Sequence, residues 1–233
     1  MFFCTVWIFL RNMRLFVMFF INMKRFFPLI LLTFLICSCS PKISVKALSN
    51  GAVDVSFGTG FSKATGETLR KIADIPSDSP IFSPNDMTSF LVNAGATNVS
   101  ASTPSALEVE ASGRLFAEKN ALSATKILSR TESSVSLTLG PEQIRSLYAL
   151  LDEDTKSYFD MMMIPALAEE TLELDEYRMI LAAMYGQKFA NELIDGVVLL
   201  ELSSPDGKKT ERISEKLGVI LTLTKEKTWK LDF

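Results

Sequence analysis

Carboxylates are the side chains best placed for chemistry in this chain. Asp152-Glu153-Asp154 and the set Glu169, Glu170, Glu173, Asp175 and Glu176 crowd two short stretches. Two facing carboxylates can hydrolyse a glycosidic bond, one as acid and the other as base or nucleophile. Asp152 and Asp154 also begin like a calcium loop, but Lys156 and Tyr158 stand where further oxygen ligands belong. A plainer reading needs no substrate. Acids near a helix N-terminus are stabilised by the aligned backbone dipoles, so a solvated helix start explains both clusters.

Methionine is the other concentrated residue type. Met161, Met162, Met163, Met179 and Met184 are five of the six methionines after residue 39. The thioether is soft and flexible, which suits both core filling and adaptable binding surfaces. The apolar content of the stretch from Pro141 to Asp195 exceeds one buried stripe per helix. Most of it is therefore expected to be core. A minor apolar groove near Met161, Met162, Met163 and Met184 is the expected binding surface for an apolar ligand or a protein partner.

Absences narrow the chemistry further. The chain has no histidine. That removes Ser-His-Asp and Cys-His catalysis, histidine acid–base work and nearly all catalytic zinc sites. Its cysteines are Cys4, Cys37 and Cys39, so the residues from Ser40 onward carry no thiol, disulfide or thiolate metal site. Gly58-Thr59-Gly60 lacks the rest of a phosphate loop. Ser62-Lys63 and Ser129-Arg130 lack the Ser-x-x-Lys spacing of an acyl enzyme. No catalytic, metal or cofactor-binding set emerges.

The positioning of the whole chain rests on residues 23–39. Met23 is followed by Lys24 and Arg25, then by an apolar run from Phe26 to Cys37, then by small residues and Cys39. Twelve apolar residues are too few for a bilayer-spanning helix, which needs about 20. They suit the core of a cleaved secretory signal. Ile36-Cys37-Ser38-Cys39 resembles the lipobox of a bacterial lipoprotein precursor. In that family the cysteine is diacylated and the leader removed. The resemblance implies a lipid on Cys39, a cell-envelope location outside the cytoplasm and attachment to a membrane. Residues 1–38 are then leader, with Met23 the expected true start. Residues 39–42 form a short lipidated tether, and 43–233 a single globular domain.

Charge bears on partners. Residues 1–39 hold four of the 24 basic residues and none of the 27 acidic ones, which leaves a net charge of −7 for the rest. A general electrostatic attraction to nucleic acid is not expected.

The elements that would carry these residues read as α+β, an antiparallel sheet with a helical layer on one side. Ile43 to Ala47 and Ala52 to Phe57 alternate apolar and polar around Asn50-Gly51. A three-residue loop, Ser49 to Gly51, places Val45 opposite Val55 and both on one face. Short helices are expected at 62–73 and 86–94. A hairpin follows, with Ala101 opposite Val109, then a weak helix over 115–129 and a strand over 135–139. Further helices are expected from Pro141, at 154–163, at 172–185 and at 187–195. Val197 to Leu202 reads as a buried central strand beside a polar edge strand at 208–213. A closing hairpin is expected to pair Leu223 with Trp229 and Leu221 with Leu231. The functional expectation is a non-enzymatic, membrane-anchored envelope lipoprotein that binds a macromolecular partner or a small apolar ligand. The alternative is a carboxylate-dependent hydrolase.

Overall fold

A turn of three residues sets the register of the larger sheet. The computed structural model describes residues 40–116, 120–168 and 171–233. Met23, Cys39, Glu169 and Glu170 lie outside the described residues. Strand β1 (Lys42–Ala47) pairs with β2 (Ala52–Gly60) so that Val45 meets Val55 and Ile43 meets Phe57, the expected register. The Leu48 N–H donates to the Ala52 carbonyl at 2.9 Å, and Gly51 holds φ at +80°, a conformation that glycine adopts without cost.

Helix α1 (Lys63–Ile72) starts at the end of β2 with Ser62 as its N-cap. Helix α2 (Pro84–Asn93) is capped by Ser83 and followed by Gly95 in positive φ. Strands β3 (Thr97–Ser102) and β4 (Glu108–Phe116) form the second hairpin. Its register differs from expectation, because Ala101 pairs with Ala111 instead of Val109. A slip of two residues keeps every side chain on its own face, so the apolar pattern could not discriminate. A bulge between Thr97 and Ser100 absorbs the irregularity.

The stretch 115–129 is not one weak helix. It contains the end of β4, a single helical turn α3 (Ala121–Ala124) and the start of β5 (Leu128–Thr131). Strand β6 (Ser134–Leu139) follows. Four helices come next: α4 (Pro141–Ala149), α5 (Glu153–Met161), α6 (Pro165–Ala168) and α7 (Leu174–Tyr185). Gly186 turns the chain into α8 (Gln187–Asp195). Strands β7 (Val197–Ser203) and β8 (Thr210–Lys216), helix α9 (Leu217–Leu221) and strand β9 (Lys227–Asp232) complete the chain.

The fold is α+β, with two sheets where one was expected. The larger runs β3-β4-β2-β1-β7-β8 and the smaller β5-β6-β9. Every ladder is antiparallel except β1–β7, which is parallel and pairs Lys42 with Leu199. Strand β7 is interior and β8 forms the edge, as the polarity of the two suggests. Leu199 departs from the expected burial. It sits on the outer face of β7 and is 44% exposed.

The closing hairpin does not form. Residues 217–221 are helical, and β9 pairs with β6, placing Trp229 opposite Leu137 and Leu231 opposite Val135. Leu217, Ile220 and Leu221 satisfy helical spacing as well as Leu217, Val219 and Leu221 satisfy alternation. Packing decides for the helix. Ile220 faces a core built from both sheets, while Leu217 and Leu221 face a second cluster made by Tyr177, Leu181, Phe189, Leu193 and Ile194. Helical spacing keeps Leu217, Ile220 and Leu221 on one side, where the two clusters meet, whereas alternation would turn Ile220 away from Leu217 and Leu221.

The second cluster is a helical layer of α7 and α8, with Leu69 of α1 packed on it. Its connections lie together at one end of the larger sheet. Strand β2 ends there before α1, β7 begins there after α8, and β8 ends there before α9. Strand β1 also begins at that end, because Lys42 pairs with Gly58 and Leu199.

Candidate functional site

Of the acids singled out for chemistry, Asp152, Glu173, Asp175 and Glu176 do structural work. Asp152 accepts the Thr155 N–H at 2.8 Å and its hydroxyl at 2.7 Å, at the start of α5. Glu173 is the N-cap of α7 and forms a reciprocal capping box with Glu176. The Glu173 N–H donates to Glu176 Oε2 at 3.3 Å. Asp175 lies 3.9 Å from Arg178, one turn on. The Asp152 and Glu173–Glu176 contacts satisfy helix-end donors, which fits the solvated helix starts expected of these clusters. Among the described residues no group of three His, Cys, Asp or Glu side chains could hold a metal ion.

One carboxylate that sequence reasoning passed over is more tightly held. Glu192 of α8 accepts the Ser62 N–H at 2.7 Å and both the Ser62 and Thr65 hydroxyls. Thr65 is 2% exposed. Glu192 thus fixes the N-terminus of α1 to α8, and Ser62 still caps the helix through its bond from the Thr65 N–H. No spacing signal could have revealed it, since the partners are 130 positions apart.

The methionines divide. Met161 ends α5 and Met162 follows it, both with their backbone carbonyls turned to α7. They accept the hydroxyls of Tyr185 at 2.6 Å and Tyr177 at 2.9 Å. Burial first, and the neighbouring Tyr185 second, push the Tyr177 phenol far above its ordinary range, so it remains a donor. Met162 is packed against the Tyr177–Leu181 cluster. Met163 follows in a left-handed conformation, φ +45°, and is 46% exposed. Met184 is 51% exposed. The four residues expected to line a groove therefore do not share one environment.

Helix α7 explains the division. Tyr177 and Leu181, four apart, point into the layer and are buried. Ile180 and Met184, also four apart, lie on the exposed side together with Met179. Acids are confined to the first turn. The result is a helix with one closed apolar face and a second, open one. Arg178 sits at the seam. It donates to Asp195 of α8 at 2.6 and 2.9 Å, and to Asn191 at 3.1 Å. The guanidinium contact, with Lys216 3.8 Å away, holds the Asp195 carboxyl below the usual carboxylate range.

No helix of the described residues is long and apolar enough to cross a membrane. Comparison of the chain with protein-family models, with curated proteins and with solved structures returned no match.

Proposed function

We propose that the chain is a lipid-anchored envelope protein, without enzymatic activity, that works by binding through the open face of α7. The observation that carries the binding half is the exposure of Met179, Ile180 and Met184 on a helix whose other face is closed by Tyr177 and Leu181. Exposed apolar side chains grouped on one helix face are a feature of interaction surfaces. The anchoring half rests on the lipobox-like Ile36-Cys37-Ser38-Cys39. The groove proposed from sequence is redrawn as this helix face, with Met162 behind it as packing.

Carboxylate-dependent hydrolysis is the weaker reading. Asp152, Glu173 and Glu176 are engaged as helix caps.

Two sets of variants test the proposal. Cys39→Ser should abolish fatty-acid labelling and leave the precursor unprocessed. Met184→Glu should leave the melting temperature nearly unchanged while reducing capture of an apolar fluorescent probe. Met162→Glu should cost several kcal/mol, on the order of 2–5, because a charge enters packed surface. Unfolding by Met184→Glu would sink the binding surface.

A further inference from the structure

We infer that the open face of α7 meets the lipid headgroup interface of the same membrane that carries the Cys39 anchor. This rests on the lipid-anchored reading above.

The tether between the anchor and the fold is short. Pro41 is already part of the fold, because its carbonyl accepts the Leu199 N–H at 2.8 Å. Two residue steps separate it from Cys39. A fully extended chain covers about 3.3–3.6 Å per residue, so the acylated residue can be no more than about 7 Å along the chain from Pro41. The headgroup zone on each side of a bilayer is about 5–8 Å deep. The end of the larger sheet at which β1 begins is thus held against that zone.

Topology then selects what is presented. The links β2–α1, α8–β7 and β8–α9 all lie at this end, and α7 packs on α8. A helix with its side chains is about 10–12 Å across, more than the tether can hold clear of the headgroups. The helical layer is consequently the membrane-proximal part of the fold. The opposite end carries the Leu48–Gly51 turn and the Pro205–Gly207 turn, both distant along the strands from the anchor.

Within the layer, α7 has the composition an interface accepts. Met179, Ile180 and Met184 are exposed, and Asp175 and Glu176 lie at one end of the helix. An amphipathic helix at a bilayer buries its apolar face about 5–10 Å into the headgroup boundary. The net charge of −7 after residue 39 removes attraction to anionic lipid as the cause. Apolar burial carries the contact, so zwitterionic lipid should suffice.

The test uses the full processed lipoprotein in phosphatidylcholine vesicles. Residues from Ser40 onward have no cysteine, so a single probe can be placed cleanly. An environment-sensitive fluorophore is attached at Met184→Cys, or at Lys208→Cys beside the distal turn. Quenching by lipid-borne nitroxide should be at least about twofold stronger at 184 than at 208, and aqueous iodide should show the reverse order. Equal iodide access at both sites, in protein that floats with the vesicles, overturns the inference. Protection of the 184 probe from iodide without nitroxide quenching also overturns it, since protein, not lipid, then covers the face. Protein that carries no acyl chain and fails to float brings down the anchor reading, and this inference with it.

Discussion

Replacing Gly218 by alanine tests whether α9 is clamped into the helical layer. Gly218 is buried in the first turn of α9. A Cβ built there would lie 2.8 Å from the Ile194 carbonyl oxygen, 2.8 Å from Leu174 Cδ1 and 3.0 Å from Ile194 Cγ2. The Leu174 methyl can swing away. The Ile194 carbonyl cannot, because it is backbone at the end of α8. The Leu217 N–H donates to the Gly196 carbonyl at 2.7 Å, so α9 cannot retreat alone. Overpacking of this kind costs about 1–3 kcal/mol. Alanine in a helix regains up to about 1 kcal/mol over glycine. The clash should win by about 1–2 kcal/mol, lowering the melting temperature by about 2–8 °C for a domain of this size. Thermal unfolding followed by circular dichroism measures it. Gly218→Ala that melts at or above the parent temperature refutes the clamp. Adding Leu174→Ala should not rescue the variant, because the backbone oxygen is the obstacle.

Three other outcomes are expected. Gly51→Val should cost about 1 kcal/mol or more in urea unfolding without any steric contact, since a β-branched residue resists φ +80° and nothing lies within 4 Å of the new Cβ. Glu192→Ala should cost about 3 kcal/mol or more, because the buried Thr65 hydroxyl and the Ser62 N–H both lose their acceptor; Glu192→Gln should fall between the two, and a neutral Glu192→Ala would contradict the link between α1 and α8. Asp195 contributes stability above the ordinary carboxylate range, and this is lost as pH falls through its lowered folded value. Asp195→Asn should therefore lower stability near neutrality, change little at pH below the lowered folded value, and so flatten the acid limb of the stability–pH curve.

Local chemistry was legible in the sequence, and distant pairing was not. The β1–β2 register followed from alternation and from Gly51, both of which act within a few residues. The start of α4 followed from Pro141 in its first turn. The β3–β4 register failed by two because parity was the only signal available. The closing hairpin failed because Leu217 to Leu223 fits two periods, and tertiary packing chose between them. Ile220, out of step with the alternation, was the clue. The parallel β1–β7 ladder has no local signature at all. At the site, the methionine cluster drew attention to the right helices, but the division between Met162 and Met184 needed the hydroxyls of Tyr177 and Tyr185 to be placed. The Glu192 link depends on three side chains that only the folded chain brings together.

The parallel ladder also imposes a timetable on synthesis. Strand β1 has one edge matched by β2, which leaves the ribosome almost with it. Its other edge waits for β7, since Lys42 to Lys46 pair with Leu199 to Ser203. At about 5–20 residues per second that edge stays unsatisfied for about 8–30 s. An unpaired strand edge is a template for association with other chains. Ile43 and Val45 lie on this edge, and Lys42 and Lys46 bracket them. Two like charges at that spacing act as gatekeepers against a second nascent copy. Their outward position in the finished sheet, where neither packs on the core, fits a duty discharged before folding is complete.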